Sequence, residues 1–135
     1  MSRYLLDTNA MGHFINRRRG VDGRARQARI QGAVLGTCFP VLGELFFGVE
    51  NSASRDQNFQ RLVHGLSGIK CWPFDRRAAE EYGRIATELK RKGRPIGEID
   101  MQVAAVALTV GDCTVVSSDG DLAAVRGLKV EDWVT

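Results

Sequence analysis

Histidine is nearly missing from this chain: there are two among 135 residues, His13 and His64, far apart in the sequence. That scarcity disfavours a metal-free ribonuclease, which needs paired histidines as general acid and base. Cysteine is also sparse. Cys38, Cys71 and Cys113 are odd in number and widely spaced, with no C-x-x-C, so neither a disulfide framework nor a zinc site is expected. Each lies in or beside an apolar run, where a buried reduced thiol is the default. Only 3 prolines are present, and nothing reads as a linker, repeat or low-complexity tract. No apolar run is long enough to span a bilayer and no leader pattern precedes the first strand, so a cytoplasmic location without membrane contact is expected.

What remains is ordinary for one globular domain, expected over residues 1–135: 44% hydrophobic and 26% charged residues, enough to bury a core. The net charge of +3 is modest, and its placement is more informative. Arg17, Arg18 and Arg19, with Arg24, Arg26 and Arg29, form one basic cluster. Lys90, Arg91, Lys92 and Arg94 form a second. Two such clusters suit a rim that neutralises phosphates.

Four acids stand in apolar surroundings. Asp7 ends Arg3-Tyr4-Leu5-Leu6. Glu44 interrupts Pro40-Val41-Leu42-Gly43-Glu44-Leu45-Phe46-Phe47. Asp100 opens Asp100-Met101-Gln102-Val103-Ala104-Ala105. Asp119 follows Val115-Val116-Ser117-Ser118. A buried carboxylate is costly unless something positive neutralises it. No Lys or Arg is adjacent to any of the four, so a divalent cation is the natural neutraliser, and a metal-dependent nuclease the natural reading.

Hydrophobic periodicity predicts alternating strands and helices. Strands are expected at residues 3–6, 33–38, 69–72, 114–117 and 128–130. Helices are expected at 10–17, 24–31, 40–47, 55–64, 76–92 and 99–110, with Thr8 or Asn9 capping the first and Asp75 the fifth. Ala79, Tyr82, Ile85, Ala86 and Leu89 form the expected inward stripe of the fifth helix, and Phe59, Leu62 and Val63 that of the fourth. Phe46 and Phe47 read as core. Strands separated by helices imply an α/β fold, a mainly parallel sheet of about five strands with helices on both faces. Ligands then bind at the carboxyl ends of the strands, and the topology would let all four acids converge on that edge.

At this point the chain resembles a known family. Leu5-Leu6-Asp7-Thr8-Asn9 is similar to the opening motif of PIN domains, Glu44 stands at their second acidic position, and Val116-Ser117-Ser118-Asp119 resembles their fourth segment. Gly93-Arg94-Pro95-Ile96-Gly97-Glu98-Ile99-Asp100 resembles the third segment of VapC-type toxins, as does the closing Gly127-Leu128-Lys129-Val130-Glu131-Asp132-Trp133. The resemblance implies a three-layer α/β/α sandwich and a Mg²⁺- or Mn²⁺-dependent endoribonuclease. It implies the toxin of a VapBC-type toxin–antitoxin pair, homodimeric and restrained by a cognate VapB-type antitoxin. Asp7 and Asp100 would be principal metal ligands, with Glu44 and Asp119 ligands directly or through water. Asp119 is favoured over Asp121 as the fourth acid. Thr8, Asn9, Ser117 and Glu98 would support the acids. Arg17, Arg18, Arg19, Lys92 and Arg94 would meet RNA. Hydrolysis would leave a 5′-phosphate and a 3′-hydroxyl.

Three alternatives share some of these features. A receiver-like signalling module would use Asp75 as its acceptor, but it pairs acids after the first strand, where Thr8 and Asn9 stand. A dehalogenase-like phosphatase needs a second Asp at position 9. An inactive RNA-binding PIN domain would not need all four acids.

Overall fold

The computed structural model describes residues 2–135. Five strands and six α-helices alternate among the described residues: β1 (Arg3–Leu6), α1 (Thr8–Ile15), α2 (Val21–Ile30), β2 (Val34–Cys38), α3 (Phe39–Glu50), α4 (Arg55–Gly65), β3 (Lys70–Trp72), α5 (Arg76–Arg91), α6 (Glu98–Val110), β4 (Cys113–Val116) and β5 (Lys129–Glu131). A short 3-10 turn, Gly120–Ala124, joins the last two strands.

The sheet is wholly parallel, in the order β3-β2-β1-β4-β5. The chain steps outward from β1 to β3, then returns across the sheet to lay β4 on the other side of β1. The right-handed crossover rule assigns α1–α4 to one face and α5–α6 to the other. The switch in direction falls between β1 and β4, which opens a crevice at their carboxyl ends.

Central strands covered on both faces must be apolar throughout. Leu5, Leu6, Val115 and Val116 are almost fully buried. Val103 to Ala107 bury one stretch of α6, where small alanines allow close packing. The Trp72 ring lies over Gly36 of β2, and a Cβ there would come within 2.5 Å of it. Gly93 adopts φ 65° just beyond α5, a left-handed conformation that glycine takes without strain and that stops the helix there.

Several boundaries and faces differ from expectation. The first helix starts at Thr8 because Asp7 itself is the cap. The inward stripe of α5 uses Ala78, while Ala79 is exposed. Val63 is exposed and Phe47 is 72% exposed, because α3 and α4 pack partly on each other and turn those positions outward. Cys71 is only half-buried, on the short β3. No helix among the described residues is long and apolar enough to cross a membrane.

Candidate active site

The register of β1 on β4 builds the centre of the site. Leu6 stands opposite Val116, so the next residues, Asp7 and Ser117, emerge side by side. The Asp7 amide donates to Val116 O at 3.1 Å, and the Ser117 amide donates to Glu131 O at 2.9 Å on the neighbouring strand. Asp7 is buried and caps α1, its Oδ1 accepting from the Ala10 amide at 2.9 Å. The buried Ser117 hydroxyl lies within hydrogen-bonding reach of the Asp7 carboxylate and accepts from the Asp119 amide at 3.0 Å. One serine thus ties two acids together.

The third acid arrives on α6. That helix begins at Glu98, capped by Gly97, so Asp100 occupies its first turn, where the helix dipole favours a carboxylate. Oxygens of Asp100, Asp119 and Asp121 lie within 4.8 Å of one another. Asp119 accepts from the Asp121 amide at 2.9 Å. Asp121 also accepts from Arg94 Nη2 at 2.8 Å. Both acids compared in the sequence therefore stand in the cluster.

Glu44 approaches from α3. It is exposed rather than enclosed by its Leu and Phe neighbours, because it projects from the helix toward the crevice, where the Thr8 hydroxyl donates to its Oε1. Its charge is felt at Asp7.

The electrostatics are those of too many like charges. Burial raises the Asp7 carboxyl above its ordinary range, and the charges of Asp119 and Glu44 add to that. Ser117 and the Ala10 amide oppose the rise. Asp100 is pushed up to about 6, first by burial and then by Asp119, Asp7 and Asp121. An all-oxygen set of this kind, partly dry and mutually repelling, fits a hard divalent cation. Asp100, Asp119 and Asp121 offer oxygens close enough together to share one ion, and Asp7 and Glu44 lie outside that trio, coupled to it by charge.

The supporting residues divide. Thr8 donates to Glu44, and Ser117 lies against Asp7 and the Asp119 amide. Asn9 and Glu98 are exposed and hold no acid. Arg17, Arg18 and Arg19 lie beyond the far end of α1 from Asp7, a helix of eight residues and so about 12 Å long. Lys92 pairs with Glu88 at 3.3 Å. Asp75 caps α5 through the Ala78 amide at 3.0 Å, which gives it a structural task in place of the receiver role. Sequence reasoning missed Thr37. Its buried hydroxyl donates to Leu6 O at 2.8 Å and fixes the backbone that presents Asp7. A threonine inside an apolar strand was the available signal.

Comparison with known proteins agrees with this geometry. The sequence profile of the PIN domain matches residues 4–128. The chain belongs to the PIN-domain family. Within it, this PIN domain is 31% identical over 133 residues to the tRNA(fMet)-specific endonuclease VapC of Shigella flexneri, covering 98% of this chain and 99% of that protein. It is 30% identical over 134 residues to ribonuclease VapC2 of Haemophilus influenzae, covering 99% and 100%. The fold superimposes on the crystal structure of VapBC2 from Rickettsia felis bound to a DNA fragment from their promoter, with a TM-score of 0.88 and 27% identity over 97% of this chain and 98% of that one. DNA-bound VapBC from Salmonella typhimurium gives the same TM-score, with 98% and 99% covered. This PIN domain is thus a member of the VapC group, and its α/β sandwich is the PIN fold.

Proposed function

We propose that this single PIN domain is a divalent-metal-dependent endoribonuclease, a hydrolase that acts as the toxin of a VapBC-type pair. The reading is supported by the grouping of Asp100, Asp119 and Asp121 oxygens within 4.8 Å of one another, with the charge of Asp7 felt at Asp100, that of Glu44 felt at Asp7, and Asp100 raised to about 6. Such a cluster is poor as a free surface and well suited to a cation.

Asp7 and Asp100 are assigned as the principal ligands of Mg²⁺ or Mn²⁺, and Glu44 and Asp119 as ligands directly or through water. A bound cation of this type makes water more acidic and stabilises charge that builds on phosphate oxygens. The chain's own residues set the geometry. Ser117 holds Asp7 and the Asp119 backbone in one arrangement, and Thr8 aims Glu44. Such neighbours orient ligands and raise their effectiveness. In the reaction a water oxygen bonds to phosphorus as the water releases a proton, the P–O3′ bond breaks, and the departing O3′ takes up a proton, so that the two transfers balance. The products are a 5′-phosphate and a 3′-hydroxyl.

Further support concerns partners. Proteins similar to this chain are named as an endonuclease and a ribonuclease, and solved structures similar to it are VapBC complexes. A cognate VapB-type antitoxin and a homodimer are proposed on that basis. Exposed Phe39 and Phe47 on α3 are apolar surface of the kind that protein partners cover. The cell interior is the proposed location, since both RNA and antitoxin are met there.

Mapping RNA ends after brief induction tests the reading. Wild type should create new 5′-phosphate ends that Asp7→Asn does not, while the variant keeps a cooperative melt. Equal cleavage by a folded Asp7→Asn protein would remove the proposed centre.

A further inference from the structure

Arg94, one of the residues expected to meet RNA, hydrogen-bonds to the acidic cluster, and the proposed function assigns that contact no task toward RNA or cation. Its Nη2 donates to Asp121 Oδ1 at 2.8 Å, across 27 residues of sequence. Its Nη1 makes only a long contact, 3.4 Å, to Pro95 O. Arginine carries five N–H donors in a fixed fork, so most of them remain available. Asp121 lies in the same group of oxygens as Asp100 and Asp119, and each side chain of the ion pair is roughly half exposed. The pair therefore stands at the rim of the cluster, open to a substrate.

Two opposed consequences follow. A guanidinium on Asp121 cancels one negative charge that a dication would otherwise feel, which weakens cation binding. The same contact pins a long, flexible side chain beside the place where a phosphate must sit, which lowers the ordering cost of binding it. Arginine is suited to that task because its planar fork matches phosphate oxygens.

We propose that Arg94, anchored by Asp121, is a phosphate-positioning residue that trades cation affinity for RNA affinity. Asp121 is then the anchor of Arg94, and Asp119 remains the fourth acid of the cation site. This inference rests on the metal-dependent ribonuclease reading.

The two opposite signs make it testable. Mg²⁺ is titrated without RNA while the melting temperature is followed, and KM and kcat for RNA cleavage are measured at saturating Mg²⁺. Arg94→Gln should reach half its Mg²⁺-induced stabilisation at about threefold to tenfold lower concentration, because one positive charge has left a half-screened site. Its KM for RNA should rise about tenfold, the worth of one charge-assisted contact, with kcat within about twofold. Arg94→Lys should restore the wild-type Mg²⁺ midpoint, since the charge returns, but only part of the RNA affinity, since the fork does not. A merely structural role would weaken both kinds of binding together. An unchanged or higher Mg²⁺ midpoint in Arg94→Gln, or an unchanged KM, overturns the role of Arg94. If wild type itself neither gains stability from Mg²⁺ nor cleaves RNA, the ribonuclease reading has failed, a result visible before any variant is compared.

Discussion

Asp100→Asn should make the metal-free protein more stable while destroying its function. Burial and three neighbouring carboxylates raise the Asp100 carboxyl from 3.8 to about 6. Each unit of displacement corresponds to about 1.4 kcal/mol, so an unscreened site would carry about 3 kcal/mol of penalty at neutral pH. Asp100 is only half-buried, and screening by water reduces that figure to about 1 kcal/mol. For a chain of this length the gain in melting temperature is about 4 °C. The sign with pH follows from linkage. The folded state takes up the Asp100 proton near pH 6 and the unfolded state near 3.8, so between these values the folded state binds more protons and wild-type stability rises as pH falls. The advantage of the variant should therefore be full at pH 7, shrink through pH 6 and vanish near pH 4. Mg²⁺ should reverse the order, because a ligand at 100 times its Kd adds about 2.7 kcal/mol to the protein that binds it. Thermal melts in chelator and in excess Mg²⁺, at pH 4 to 8, read all of this. A variant that melts at or below wild type in chelator at pH 7, or stays above it in Mg²⁺, refutes the reasoning.

Ser117→Ala should cost about 1–2 kcal/mol of stability, because it removes a partner from the Asp7 side chain and the Asp119 amide inside the protein, and it should weaken Mg²⁺ binding about tenfold. Denaturant melts and a Mg²⁺ titration measure these two effects, and a loss of stability with unchanged Mg²⁺ affinity would confine Ser117 to a packing role. Replacing Arg17, Arg18 and Arg19 together by Gln should flatten the slope of log affinity for RNA against log salt by about 2, if each meets one single-strand phosphate. An unchanged slope would assign that cluster, which lies away from the acids, to another partner.

Local chemistry made much of the molecule legible in advance. The alternation of strands and helices follows from hydrophobic period, and that pattern is set by each segment's need to bury one face. Asp7, Glu44, Asp100 and Asp119 stood out because each is an acid in an apolar run, where burial of charge needs a compensating cause. Thr8 and Ser117 stood out as hydroxyls near Asp7 and Asp119 in sequence, but the carboxylates they face, Glu44 for Thr8 and Asp7 for Ser117, are distant in the chain. The first helix starts early because Asp7 caps it, whereas α2 starts three residues early at Val21 and α3 runs three residues further, to Glu50, with no side-chain cap at either helix start. Ala79 and Val63 were misassigned to the core because a periodic stripe locates a helix face only to within one residue.

The chain's own order of residues thus determined which acids stand in apolar runs and that Asp7 and Asp119 follow strands. Only the tertiary structure decided that β4 lies against β1, which sets Ser117 beside Asp7. It alone brought Asp121 into the cluster and put Arg94 on it at 2.8 Å, turned Glu44 outward to Thr8, and separated Arg17, Arg18 and Arg19 from the acids. The reason is physical: burial and periodicity act residue by residue along the chain. Strand neighbours and charge pairs depend on crossings between distant segments, whose energies no local pattern contains.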